Sequence, residues 1–594
     1  MLKSNYLLFS ILLLCIFSIN VWLAIAYYPK YNKSKTEAII AYDVYGYYTY
    51  LPALFIYNDI KTFDFVNDIQ KKYQPSHAID HLVKQQNGNS IIKYSAGMAI
   101  AYLPGFVAGH IYALNSQYYV ADGFSQPYQL ALGLWGILLS SIGLLLLYHI
   151  LRRYFSNNIS LATVLLIALA TNYLEYSSIS ASMPHNYIFT YYVLLLFFTI
   201  RFYNSFKWKD AFFIGAVLGL MALTRPTEII AAIIPLAWSF TSFKDWQLFK
   251  QAFLNNYSKI ILAVVVCILI GSIQLIYWKI VADNWIVYSY GEQGFSWLNP
   301  HIIKGLFSTK NGWLAYSPIM VFSLVGIFPM LFTKNKLPGV VISTFILLYI
   351  YVTYSWDIWW YGGSVGSRAI INAYPILAFP LAAFVAYVFQ SKYKVCKILF
   401  VGIAAITLYL NAWLIHHAHW GGFYQSTNTT DAFYFNVFGR WQPDANKMFL
   451  LQNDETTFRA IDILDKLQEN VYLINEDTLF LNNSKLKKEI IENSFTTELS
   501  DAKAIRVSFK AQASYIEWNE SIHAKMMFRL LNRGQVVKEM VIKLNDVIRR
   551  SKSKQFFTDI KLDGLTADSW QLEINNEKAD VVLIVNDVNI FTFK

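Results

Sequence analysis

The sequence predicts a mainly α, polytopic membrane protein: a helical bundle of about eleven spans followed by an extracytoplasmic β-sandwich. Three observations predict it. The 594 residues are 56% hydrophobic and only 15% charged, with a mean hydropathy of +0.35. Apolar runs recur at the length that crosses a ~30 Å hydrocarbon core. After about Trp420 these runs stop and period-two alternation takes over.

The net charge of +11 does not point to nucleic acid. Much of the excess lies in short loops between apolar runs, as the positive-inside rule requires. Aromatic residues at 17% suit a chain with many interfacial segments. Cys15, Cys267 and Cys396 have no ligand spacing and suggest no disulfide framework.

The first apolar run, about Tyr6 to Tyr28, follows Lys3. It is longer than a ~7–15-residue signal core and reads as a retained helix, although Ala24-Ile-Ala26 resembles a cleavage site. The N-terminus is then cytoplasmic and the loop 29–93 lies outside. Residues 94–114 look apolar enough to span. The next run, Tyr128 to Leu151, ends in Arg152-Arg153, which belongs inside. Both facts fit if 94–114 is an interfacial or re-entrant helix on the outer face. Runs near 160–178, 187–203, 211–224, 227–241, 259–281, 313–333, 338–355, 372–390 and 398–416 complete the spans. Lys207 and Lys209, Lys244 and Lys250, Lys334 and Lys336, and Lys392, Lys394 and Lys397 then all face the cytoplasm. The two runs around Arg225-Pro226 are short and broken by proline, as in a hairpin that ends inside the bilayer.

The expected division is 1–420 for the membrane domain and 421–594 for the outer domain. In the latter, Ile505, Val507, Phe509, Ala511 and Ala513 share one face of a strand, and Arg506, Ser508, Lys510 and Gln512 the other. Further strands are expected at 525–531, 536–544, 555–562, 569–575 and 581–593, with Asn532-Arg-Gly534 as a turn.

The polar residues that carry chemistry concentrate in the predicted outer loops. The first holds Asp43 in Ala41-Tyr-Asp-Val-Tyr-Gly-Tyr-Tyr48, then His77, Asp80, His81 and Lys93. Others hold His185, Glu292, Lys310-Asn-Gly-Trp313, and Trp356-Asp-Ile-Trp-Trp-Tyr-Gly-Gly-Ser-Val-Gly-Ser-Arg368. The ordered set resembles the GT-C glycosyltransferases, multispan enzymes that use polyprenyl-phosphate sugars. The likeness covers about residues 1–420, and Tyr42–Pro52, Leu223–Thr227, Phe307–Pro318 and Trp359–Arg368 are similar to family-39-like bacterial members. The β-rich tail is not part of that shared core.

The resemblance implies an inverting transfer of sugar from a polyprenyl phosphate to an extracytoplasmic lipid, glycan or protein. It implies a cytoplasmic (inner) membrane location and Asp43 as the base that deprotonates the acceptor. The chemistry needs one carboxylate and fixed cations on the leaving phosphate. Arg225, Lys93 and Arg368 are the candidate cations, and Arg225 is the hardest to dismiss, because a guanidinium in a broken apolar hairpin is costly without an anion or polar cavity. Glu228, one turn on, is its structural alternative. Tyr45, Tyr48, His185, Glu292, Lys310 and Trp360 are candidate substrate contacts. The competing readings are an interfacial Tyr belt, a snorkelling Lys93 and a hydrogen-bonded structural His185. His77 and His81 have i,i+4 spacing without a zincin glutamate, so no metal and no cofactor beyond the lipid-linked donor is expected. The rival functions are a glycolipid transporter, which should show matching broken helices in two halves, and a polysaccharide polymerase or ligase.

Overall fold

The computed structural model describes residues 14–443, apart from 241–245, 292, 333–336, 425, 427 and 428, together with residue 447 and much of 466–593. Glu292, Lys244, Lys334, Lys336 and the start of the first apolar run lie outside the described residues. The chain divides into two compact units, Met1–Ile415 and His416–Lys594.

The first unit is helical. A short helix α1, Tyr42–Tyr48, opens the polar segment after the first apolar run. Among the described residues, six helices are long and apolar enough to cross a membrane. They include α2, Gly97–Leu114, α3, Gln126–Leu151, α4, Pro184–Ser205, and Tyr257–Ala282. Length and composition therefore do not separate α2 from the spans; only the charge argument does. Helix α5, Trp208–Thr224, stops at Arg225 because the next residue is Pro226. A residue before proline is pushed out of the helical region, and Arg225 is extended at φ −144°, ψ 114°. The chain continues as a 3-10 turn, Pro226–Ala232, and a five-residue helix, Ile233–Ala237. The expected broken hairpin is present.

Helices α3, α4 and α5 pack around one large apolar cluster with α6, Gly339–Tyr354, and α7, Tyr374–Gln390. A second cluster, of Tyr45, Tyr48, Tyr102, Phe106, Phe124 and Tyr128 among others, sits under α1. The two clusters meet the broken end of α5 through a close approach. A Cβ on Gly97 would lie 2.4 Å from the Thr224 backbone nitrogen. Only glycine lets the start of α2 touch the residue next to Arg225.

In the second unit the strands pair antiparallel in two sheets. One has the order Lys488–Ser494, Ser569–Asn575, Lys525–Asn532, Gln535–Lys543. The other is built on Leu583–Phe593, Ala504–Ala513 and Lys554–Lys561. Asn532 pairs with Gln535, and Arg533 and Gly534 take positive φ of 51° and 77°, the two-residue hairpin turn that the sequence suggests. Arg506 and Ser508 are buried, like Val507 and Phe509, on a strand with a neighbour on each side in its sheet.

Candidate functional site

Asp43 sits in the first turn of α1. Tyr42, just before it, has a positive φ of 46°, a conformation that a bulky residue adopts only under constraint. The Tyr42 amide donates to Pro75 O at 3.0 Å and its hydroxyl meets His77 Nε2 at 2.8 Å, which supplies that constraint.

The carboxylate has two partners. Arg368 Nη2 meets Asp43 Oδ2 at 2.8 Å, with the arginine side chain 13% exposed and the aspartate 23%. The Tyr94 hydroxyl donates to Oδ1 at 2.8 Å. Burial works to raise the Asp43 pKa; Arg368, the Tyr94 hydrogen bond and Arg225 outweigh it and hold the carboxyl below its ordinary value. Burial and the Asp43 charge push the Tyr94 hydroxyl pKa up, so it stays a donor.

Tyr94 reaches Asp43 because α1 carries no side chain at Gly46. A Cβ there would stand 2.4 Å from two Tyr94 ring carbons. Tyr47, one turn after Asp43, lies 4.5 Å from the Tyr94 ring, centroid to centroid, and feels the charges of Arg225 and Asp43. Arg225 also approaches the Tyr361 ring at 6.0 Å. Its expected alternative partner is occupied elsewhere: Glu228 accepts from the Tyr192 and Tyr349 hydroxyls at 2.7 and 3.1 Å and from Asn372 Nδ2 at 2.6 Å. Among the described ion pairs none joins Arg225 to Glu228. The Arg225 charge remains directed at the tyrosines and at Asp43.

Arg368 is aimed by a loop tied from below. Asn172 Nδ2 donates to Val365 O at 3.1 Å, and the Val365 amide donates to the Tyr176 hydroxyl at 3.1 Å. Asn311 Nδ2 reaches Trp360 O and Ser364 Oγ at 3.1 and 3.0 Å. Tyr354 hydrogen-bonds Ser367 at 2.9 Å. Arg368 Nε is buried without a hydrogen-bond partner. A guanidinium with one edge on a carboxylate and a buried donor left over is prepared for a second anion.

Lys93 stands one ring further out. Its ammonium lies 5.2 Å from the Tyr290 centroid, and Tyr290 meets Tyr94 edge-on at 6.4 Å. His185 is fully buried, with Nδ1 3.0 Å from Asn372 Oδ1. Lys310 and Trp360 pair with each other, the ammonium 3.9 Å from the ring centroid, and neither is a partner of Asp43. Tyr45 and Tyr48 are fully buried away from the Asp43 carboxylate. Tyr45 packs on His81 and Phe124 at 4.3 and 5.7 Å, and the Tyr48 hydroxyl donates to Gly123 O at 2.6 Å. On a helix, positions 45 and 48 face away from 43, whereas 47 shares its face. Reading 42–48 as a helix would have pointed to Tyr47 as the neighbour of Asp43. His77 and His81 lie on no helix, so their spacing does not bring the rings to one side. His81 is buried on Tyr45, and burial lowers its pKa to about 4.

Residues 124–278 match the family model described as dolichyl-phosphate-mannose-protein mannosyltransferase. The matched segment contains α3, α4, α5 and Arg225, but neither Asp43 nor Arg368. No curated protein matches the chain. Among solved structures, the Archaeoglobus fulgidus oligosaccharyltransferase is 13% identical, with 56% of this chain and 45% of that one covered and a TM-score of 0.35. Arabinosyltransferase EmbB from Mycobacterium smegmatis is 12% identical, with 84% and 64% covered and a TM-score of 0.30. The matches span less than two thirds of either solved chain, and the TM-scores are too low to speak for a common fold.

Proposed function

We propose that this chain is a multi-pass membrane glycosyltransferase of the GT-C type and that it transfers a sugar from a polyprenyl phosphate to a hydroxyl acceptor with inversion; the family match over residues 124–278 and the six long apolar helices among the described residues support that reading. The observation that carries this reading is the Asp43 carboxylate held between Arg368 and Tyr94 with Arg225 nearby. In the proposed step Asp43 takes the acceptor proton. The acceptor oxygen bonds to the anomeric carbon as that carbon's bond to the phosphate oxygen breaks, and the phosphate leaves with the electron pair. Arg225 and Arg368 hold that phosphate, and Lys93 supplies a more distant positive charge.

Arg368 couples the two halves of this chemistry. While it pairs with Asp43, it makes the carboxylate a weak base. A phosphate that draws the guanidinium away returns basicity to Asp43 when the donor is in place. Two guanidiniums supply the charge, so the proposed reaction needs no divalent cation. In this reading the site faces away from the cytoplasm, in the cytoplasmic membrane, and the acceptor is a lipid, glycan or protein.

The test uses the purified full chain in nanodiscs with undecaprenyl-phosphate mannose, glucose, galactose and arabinose, and membrane extracts as acceptor. Transfer from at least one donor, with inverted anomeric configuration and unaffected by EDTA, is expected. Transfer from none of them, with undecaprenyl-diphosphate oligosaccharides used instead, sinks the reading in favour of a polymerase or ligase.

A further inference from the structure

His185 lies at the start of α4, where Pro184 occupies the first position. Its ring is wholly buried, and its two nitrogens have different surroundings. Nδ1 is 3.0 Å from Asn372 Oδ1. Nε2 is buried and has no hydrogen-bond partner. A buried imidazole nitrogen left unmatched is costly unless a ligand or water completes it.

The chain of partners behind Nδ1 fixes which nitrogen carries the proton. Glu228 Oε1 accepts a hydrogen bond from the Asn372 side chain. Asn372 must therefore turn its NH2 to Glu228, which it does at 2.6 Å. That leaves Asn372 Oδ1, an acceptor, facing the histidine. Nδ1 must then be the protonated nitrogen, and Nε2 carries the bare lone pair. The Tyr192 and Tyr349 hydroxyls hold Glu228 at 2.7 and 3.1 Å, so the carboxylate that sets the sequence cannot swing away.

The same ring belongs to the neighbourhood of Arg368. Tyr176, whose hydroxyl accepts from Val365 in the Arg368 loop, meets the ring edge-on at 5.9 Å. A bare lone pair on this nitrogen can accept a hydrogen bond from a neutral donor such as a hydroxyl.

We propose that His185 Nε2 accepts a hydrogen bond from one hydroxyl of the donor sugar, and that Glu228 and Asn372 are positioning residues that keep that nitrogen unprotonated. The inference rests on the polyprenyl-phosphate reading above and deepens it. The subsite selects a sugar that presents a hydroxyl at one ring position, and it discriminates against an analogue with hydrogen there. An acceptor without a proton to give cannot satisfy an ester or ketone at the same place.

The experiment takes whichever undecaprenyl-phosphate sugar the wild type uses, with its monodeoxy analogues, and measures kcat/KM for the wild type and His185→Ala. One analogue should lose about tenfold or more in the wild type. The same analogue should match its parent sugar in His185→Ala. Equal penalties in both proteins overturn the subsite while leaving the donor reading intact. A wild type inert on every polyprenyl-phosphate sugar overturns both. If His185→Ala does not fold, the wild type labelled with 15N-histidine decides: a bare Nε2 that shifts when donor is added supports the proposal, and a protonated Nε2 ends it.

Discussion

Arg368 meets Asp43 at 2.8 Å, and the same guanidinium leaves its Nε buried without a partner. An ion pair whose only task was structural would be expected to use that edge as well, since a buried donor left unmatched costs about 1–3 kcal/mol. In the proposed reading, a donor phosphate engages that second edge of the guanidinium. Asp43→Asn removes the proton acceptor but keeps the shape. Expression and thermal stability close to wild type are expected, with transfer reduced about 10²–10⁴-fold. Normal turnover by that variant would remove the base assignment.

The acid limb of the pH profile should report the same pair. Burial raises the Asp43 pKa, and Arg368 is the largest influence opposing it. In the wild type the carboxylate is held below its ordinary value. The ion pair thus contributes stability above the ordinary carboxylate range and loses it as pH falls through the lowered folded value. Arg368→Gln leaves burial opposed by Tyr94 and Arg225 alone. Its kcat/KM should therefore begin to fall at a higher pH than that of the wild type, with weaker donor use in addition. An acid limb at the same pH in both proteins would contradict the coupling.

How far the site could be read from sequence follows from its geometry. Asp43, Arg225 and Arg368 were legible because each is a charge beside an apolar run, where a charge needs a reason. Asn172, Asn311 and Asn372 were not. Their amides matter only because the fold brings Val365, Trp360 and Glu228 to them, and nothing local marks an asparagine as a brace. That Tyr47, rather than Tyr45 or Tyr48, shares a face with Asp43 follows from the helical period of a seven-residue segment that is too short to announce itself. In the second unit the alternation located the strands expected over 505–593 to within two residues, but the burial of Arg506 and Ser508 was not in it, because period two shows which residues share a face and not how far that face is exposed.

Gly46→Ala tests whether the missing side chain matters. The new Cβ would stand 2.4 Å from the Tyr94 ring, so Tyr94 must move and its hydrogen bond to Asp43 must lengthen. Tyr94→Phe removes that bond directly. Each variant should raise the pH at which activity begins to fall, by less than Arg368→Gln does. The double variant should be little worse than the more severe single one, because both act through one contact. Additive losses would show that Gly46 serves packing unrelated to Tyr94.

His81 gives a separate acid sensitivity. It is 2% exposed, packed against Tyr45 with its ring tilted, and its pKa is lowered to about 4 by burial. The unfolded chain takes up a proton on this ring near the ordinary histidine value of ~6.5, well before the folded chain does. Stability from this group is therefore complete above about pH 6.5 and declines as pH falls toward 4, by roughly 3 kcal/mol in all. Because His81 packs under α1, the decline should loosen the helix that carries Asp43. His81→Phe cannot take up that proton, so its melting temperature in detergent should fall less between pH 7 and pH 4.5 than that of the wild type. It should also keep more of its transfer activity after an acid pulse. Parallel melting curves for the two proteins would mean that the acid loss arises elsewhere, with the Asp43–Arg368 pair the next group to examine by the same comparison in Arg368→Gln.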